Sequence, residues 1–423
     1  MHLQVEFAKQ IIMKYLIIVL LIFICSCNNN KEQKKIENTN VENIFSGINK
    51  EKLSPKELPT LDLQKKYPQK IVTLQDIADV EYIVLENNEK ALLSENRKVT
   101  VTDSLIFTYT KDKYICIFKR DGKFMDAFKH VGGSEKEYGN ISKLIVNSEQ
   151  NELYIHDLSR RSLKVFTYEG DYLRTIKLGN ICRMEDIFFC DNQHILIEDI
   201  WGVDFDYAKK EKTNPRPYYK ISANDGTIVH HLPIVTEKRI RDWYFWDSGE
   251  GMGGATTFST PPVGYVNGEF VIADFGQDTV YSYKQNNLSP IAIRKNRIKG
   301  NDVPIIATID AITDKYIIWF AIEKDMKKTV LPDRTYLQDR QTGACIQTKI
   351  CDANITDTKH RFSSNLRMTA NIHTVPSNHI LQIYPAYELI ELNGDGKLKG
   401  ELKEIASKLT EEDNPVIMLA KFK

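Results

Sequence analysis

From about residue 71 onward, apolar and polar residues alternate in short runs, and each run stops at a turn carrying Gly, Asn or Asp. A period of two places successive side chains on opposite faces of an extended chain, so the pattern predicts strands. One unit recurs: an alternating strand, a tight turn, and another alternating strand. It reads "YICIFKRDGKFMDAF" around Asp121-Gly122, "LKVFTYEGDYLRTI" around Glu169-Gly170 and "YYKISANDGTIVHHL" around Asp225-Gly226. It returns as "VYSYKQNNLSPIAI" around Asn286-Asn287, "YLQDRQTGACIQTKI" around Thr342-Gly343 and "LIELNGDGKLKGEL" around Gly394 to Gly396. Such turns suit the positive-φ positions that join antiparallel strands. They lie roughly 48 to 61 residues apart, the length of one four-stranded propeller blade. Six turns therefore predict an all-β, six-bladed propeller.

A second strand ending in an acid precedes several of these turns: "ELYIHD" (152–157), "HILIED" (194–199) and "EFVIAD" (269–274). Ring closure is expected from "DVEYIVLE" (79–86) pairing beside "NPVIMLAKF" (414–422), which would remove the open edge of the last blade. The helix-like "GELKEIASKLTEED" (400–413) is expected to pack outside that blade.

The amino terminus departs from the alternation. "MKYLIIVLLIFICSC" starts at Met13 and carries an apolar run from Tyr15 to Ile24, the length of a signal-peptide core and short for a permanent span. Residues 1–12 read as an upstream start. Ile24-Cys25-Ser26-Cys27 resembles a bacterial lipobox, which makes Cys27 the expected lipidated residue. The polar segment after it has too few apolar residues to offset its ordering entropy and reads as a tether. The expected domains are residues 1–27 as signal, 28–70 as flexible tether and 71–423 as propeller. Of the remaining cysteines (Cys116, Cys182, Cys190, Cys345 and Cys351), none forms a CxxC pair, and buried small hydrophobes are their expected role. Lys plus Arg equals Asp plus Glu at 57 each, so the chain lacks the basic balance of a nucleic-acid binder.

The stretch "FKRDGKFMDAFKHVGGSEKEYGNISKLIVNSEQNELYIHDLSRRSLKVFTYEGDYLRTIKL" resembles the six-bladed β-propeller lipoproteins of some Gram-negative bacteria. It keeps that family's Asp121-Gly122-Lys123-Phe124, Gly132, Glu137-Tyr138, Asp157 and Gly170, and departs at 133–136, "GSEK", where a glycine-proline pair is usual. The closing "EEDNPVIMLAKFK" is also similar to the family's terminus. The resemblance covers roughly Ile71 to Lys423 and implies a propeller anchored to the cell envelope, with the outer membrane as the expected site. It implies no activity.

The chemistry is thinner than the architecture. "HVGGSEKEYGN" (130–140) is no phosphate loop, because an alternating strand follows it where a helix is required. It reads as the connection from the outer strand of one blade to the innermost strand of the next, with Glu137 and Tyr138 either facing a ligand or stabilising the loop. "GEGMGG" (249–254) fits GxGxxG but lacks strand–turn–helix context, and reads as part of a long insertion between blades. That insertion carries Trp243, Tyr244, Phe245 and Trp246, rings suited to a sugar or peptide face or to packing on the propeller. The adjacent His230 and His231 point to opposite faces of a strand and cannot share one ion, and "NGDGKLKGE" (393–401) lacks calcium-loop spacing, so neither metal nor cofactor is expected.

The candidate ligand-binding set is Arg97, Glu137, Tyr138, Arg183, Glu185, Trp243, Trp246 and Arg367, gathered from loops of several blades at one mouth. Two functions fit. One is a lipid-anchored envelope propeller that binds a glycan, peptide or protein at its mouth or rim. The other is an envelope hydrolase or lyase with polar groups converging in the channel. Aromatic loops without a catalytic signature favour the first.

Overall fold

The β-branched and aromatic runs form sheets whose strand order follows the chain, as meanders do. The structure is a computed structural model that describes residues 44–48, 52–54, 57–93, 98–178, 184–199, 205–206, 211–212, 217–235, 243–247, 253–257, 263–266, 269–300, 303–325, 332–359, 375–376 and 378–423. Blade 1 comprises Thr100–Val101, Leu105–Tyr109, Ile115–Lys119 and Phe124–Phe128. Blade 2 comprises Lys143–Asn147, Glu152–Asp157, Ser162–Thr167 and Tyr172–Lys177. Blade 3 is built from Met184–Asp191, His194–Asp199, Tyr218–Ser222 and Ile228–His231. Blade 4 takes Val263–Val266, Glu269–Ile272, Thr279–Lys284 and Asn287–Lys295, and blade 5 takes Val303–Ile312, Tyr316–Glu323, Asp333–Asp339 and Cys345–Cys351. Blade 6 contains His379–Tyr384 and Val416–Phe422 among the described residues. The fold is a six-bladed β-propeller.

Both faces of each blade are buried, and the core is divided accordingly. Leu144 packs toward blade 1 with Phe107 and Ile117, whereas Ile145 packs toward blade 3 with Ile187 and Ile195. Each of the six seams holds at least one such apolar cluster, including the seam where blade 6 meets blade 1 through Ile417, Leu419, Ile106 and Phe118. At roughly 25 cal/mol per Å² of apolar surface removed from water, these seams dominate the stability.

The chain before blade 1 wraps the outside of the last three blades. Strand β1 (Thr60–Asp62) joins blade 4 in parallel, with Leu61 opposite Arg294. Strand β2 (Gln69–Thr73) joins blade 5 in parallel, with Ile71 opposite Lys349. A single helical turn, α1 (Leu74–Ile77), starts where the Thr73 amide donates to the Asp76 carboxylate at 3.2 Å, and leads into β3 (Ala78–Val84). β3 pairs antiparallel along the whole of Val416–Phe422 and closes the ring as the sequence predicts. Farther upstream, Ile44 and Phe45 are buried against blade 5, and the Lys70 ammonium donates to the Ile44 carbonyl at 2.6 Å. The expected boundary between tether and propeller at residue 70 is therefore corrected for the described residues: Ile44, Phe45, Leu61 and Leu63 of this strap precede it and pack in the propeller's own clusters, because these few apolar side chains fill blade edges.

Five of the six repeated turns are outer hairpins, with positive φ at Gly122, Gly170, Gly226, Gly343 and Asn286. Three of these glycines lie against the preceding blade. A Cβ on Gly122 would stand 2.1 Å from the Val84 carbonyl oxygen, on Gly170 2.7 Å from the Phe128 ring, and on Gly226 2.8 Å from the Lys177 carbonyl oxygen. The sixth turn is corrected. Gly394 ends helix α2 (Ala386–Gly394), whose Leu389 and Leu392 are buried against blades 5 and 6, so the stretch is helical where strands were expected. Helix α3 (Gly400–Ala406) follows and packs on the same cluster through Leu402 and Ala406.

Candidate functional site

The connection from blade 1 to blade 2 is tied down by its own neighbours. Tyr138 is fully buried, donates its hydroxyl hydrogen to the Lys113 carbonyl at 2.8 Å and meets Phe166 edge-on. Its mouth-facing role is thereby corrected: the ring fills the seam between blades 1 and 2. Glu137 is half-buried and accepts from the Ser134 amide at 2.7 Å, a bond that holds its carboxyl below the usual range. Arg160 donates to the carbonyls of Ser134, Glu137 and Gly132, and Lys164 donates to that of Glu135. The loop thus presents carbonyl oxygens to cations, the reverse of a phosphate cradle. The acid ending "ELYIHD" serves the same fastening: Asp157 accepts from the Gly139 amide and the Ser159 hydroxyl, both at 2.6 Å. Burial raises its carboxyl, and these bonds with the Arg160 charge outweigh that and leave it below the usual range. Its counterpart Asp274 accepts from the Tyr218 hydroxyl and the Gly276 amide, both at 2.7 Å.

On the face of blade 2 that meets blade 3, which it shares with Tyr154 and Leu163, lies a buried polar group. His156 is 2% exposed, with Nδ1 2.5 Å from the Ser142 hydroxyl oxygen. Burial, reinforced by the Lys143 and Lys98 charges, pushes its imidazole down to about 4, so the ring is neutral at ordinary pH. The Lys143 ammonium stands over the Phe188 ring, 3.9 Å from its centroid, a cation–π contact across the seam to blade 3.

Phe188 also borders the cleft in which the inner strands converge. A cavity of about 530 Å³ is lined from blade 1 by Thr100 to Asp103, and from blade 2 by Ile145, Val146 and Ser148. Blade 3 adds Phe188 and Phe189, and blade 6 adds Val375, Pro376, His379 and Lys421. Its size falls in the range of small-molecule sites. The floor is aromatic and aliphatic: Phe189 is braced edge-on by Tyr154 at 4.8 Å, and Phe188 by Phe270 at 6.0 Å. The Thr100 hydroxyl donates to Leu144 O, and the Thr102 hydroxyl donates to Leu105 O while accepting from the Leu105 amide at 3.0 Å, which fixes the orientation of both oxygens. Asp103, Ser148 and Lys421 are exposed at the rim. In each blade the first strand runs away from the face that receives the incoming connection. The cleft therefore opens on the face opposite the one the sequence set had singled out.

Of the sequence set, Glu137 and Tyr138 are absent from the lining of this cleft. Arg97, Arg183 and Arg367 lie outside the described residues, as do Cys27 and Cys182. Glu185, Trp243 and Trp246 are described in backbone alone, Glu185 on the first strand of blade 3. The insertion expected to be a loop contains a hairpin, Trp243–Asp247 with Gly253–Thr257, in which Trp246 pairs with Gly254. The last glycine of "GEGMGG" is thus in an antiparallel strand, incompatible with a dinucleotide loop. The described cysteines are free thiols. Burial pushes Cys116, Cys190 and Cys345 up to about 12 and Cys351 up to about 11, as inert packing groups require. Sequence reasoning missed the cleft because its lining falls at the far ends of first strands, in "VTVTDS", "IVNS" and "FF". The available signal was the hydroxyl-rich turn after each.

Over residues 58–421 the sequence matches the family model of DUF4934, a domain of unknown function, and the chain belongs to that family. A protein of Bacteroides fragilis NCTC 9343 described as exported aligns with a TM-score of 0.60 at 13% identity, covering 87% of this chain and 100% of that one. A member of the DUF4221 family from Bacteroides vulgatus ATCC 8482 is similar with a TM-score of 0.45 at 9% identity, over 82% and 99% of the two chains. A virginiamycin B lyase from Staphylococcus aureus has a TM-score of 0.30 at 12% identity, over 64% of this chain and 98% of that one. The first of these shows a shared fold, and the other two are too distant to bear on function. No curated protein matches the chain in sequence.

Proposed function

We propose that this DUF4934 propeller is an exported, lipid-anchored binding protein whose small ligand sits in the cleft formed by the inner strands of blades 6, 1, 2 and 3. The observation that carries the reading is the lining itself. Braced phenylalanine rings lie beside oriented threonine oxygens, with charged groups confined to the rim. That arrangement suits the apolar face and hydroxyls of a sugar, or an aromatic side chain of a peptide. Catalysis would call for several titratable groups converging on one point, whereas the described lining supplies Asp103, His379 and Lys421, with Asp103 and Lys421 exposed at the rim. A screen of glycans and short peptides against the protein, read by calorimetry, tests this. Val146 is half-buried in the cleft wall, and Val146→Arg fills the space. Any hit should lose at least about tenfold in affinity on that substitution, roughly 1.4 kcal/mol, with the melting temperature nearly unchanged. A ligand bound equally by both proteins occupies another place.

Anchoring is the second part of the proposal. Its support is the apolar run ending in Ile24-Cys25-Ser26-Cys27, together with the exported description of the B. fragilis protein. No helix of the described residues is long and apolar enough to cross a membrane. Cys27→Ala should abolish palmitate labelling and release the protein from the membrane fraction. Equal labelling of the variant would remove the anchor from this picture.

A further inference from the structure

A second cavity, of about 470 Å³, lies far from the channel, between the end of β3 and helix α3. Its apolar floor is Val84, Leu85, Ile405 and Leu409. Val84 is 41% exposed although it belongs to a closing strand, and Ile405 and Leu409 are only half-buried against the cluster of blades 5 and 6. The rim is charged with one dominant sign. Glu86, Glu401, Glu404 and Asp413 stand around it, against Lys408 as the one cation of the lining. Two of these carboxylates are fixed: Glu86 accepts from the Phe124 amide at 2.9 Å and Asp413 from the Thr410 amide at 2.6 Å. The other two are exposed three residues apart on α3.

We infer that this groove docks a basic amphipathic peptide segment of a partner protein, with an apolar side chain on the floor and Lys or Arg against the four carboxylates. A negative rim around an apolar trough selects a cationic segment by repelling acidic ones and speeding the encounter with basic ones. The volume suits a few side chains rather than a whole domain face. Because the rim is exposed, the attraction weakens as salt rises.

The probe is a fluorescein-labelled peptide, KLKKLAKK, titrated by fluorescence polarisation against the protein at low and physiological salt, with ELEELAEE as its charge-reversed counterpart. The lysine peptide should bind and weaken with salt, and the glutamate peptide should not bind. Glu401→Lys with Glu404→Lys should weaken binding at least about tenfold while Val146→Arg in the channel leaves it unchanged. Should the double variant melt early, Glu404→Gln alone, at an unchanged melting temperature, should still reduce the salt dependence. Equal binding of both peptides, an unaffected charge variant, or no binding of KLKKLAKK at about 1 mM would each overturn the docking site.

Discussion

At the residue scale, the repeated glycine of the outer hairpins does two jobs. The sequence shows one of them, since an Asp-Gly or Glu-Gly pair between alternating runs demands positive φ. The other depends on the neighbouring blade, and no local pattern reports it: Gly122 has φ +89° and leaves no room for a Cβ beneath the Val84 carbonyl. Gly122→Ala should therefore cost about 2–4 kcal/mol in urea denaturation, from backbone strain plus the clash. Gly47, at φ +79° with nothing within 4 Å of a built Cβ, should cost only about 1 kcal/mol on the same change. Equal losses would mean that the contact with Val84 relaxes freely. Tyr138 illustrates the opposite failure of local reading. A tyrosine beside a carboxylate in a glycine loop has the composition of a binding site, yet its burial is set by Phe166, on a strand, and Lys113, in a turn, neither of which the loop contains.

At the element scale, the blades were legible because each repeats a short-range pattern, and the strap was not. "LPTLDLQKKYPQKIVT" has two short strands separated by charged residues, too brief for alternation to stand out. Their partners are far along the chain, and parallel pairing leaves no hairpin turn to mark it. The strap nevertheless buries Ile44, Phe45, Leu61, Leu63 and Val72, each side chain worth about 1.5–3 kcal/mol when fully removed from water. Deleting residues 44–73 should lower the melting temperature by more than about 10 °C or render the protein insoluble, since the outer strands of blades 4 and 5 become open edges. A deletion protein that melts unchanged would show that the strap merely lies on the ring. The helix mistaken for a sixth hairpin belongs to the same lesson: "ELIELNGDG" contains the glycines of a turn, but Leu389 and Leu392 follow a helical spacing and are buried together.

At the scale of the whole molecule, the ring follows from strands that are apolar on both sides, such as "YIIWFAIE", in which every residue is buried. A two-sided strand needs a sheet in front and another behind, and six repeats meet that demand in a closed circle, each seam filled by at least one apolar cluster. The candidate cleft was less legible, because convergence at a ring's centre depends on which strand ends face inward, and that is a property of no single segment. The strap adds an order of events. β1, β2 and β3 are synthesised before any blade, yet their partners are Asn287–Lys295, Cys345–Cys351 and Val416–Phe422. Early blades can form their hairpins as they emerge, but the first three strands wait with unmatched amides until the last three blades exist. Loop-closure entropy makes such distant pairings late and slow. The ring therefore stays open until Val416–Phe422 has been added to it, because that strand gives β3 its place.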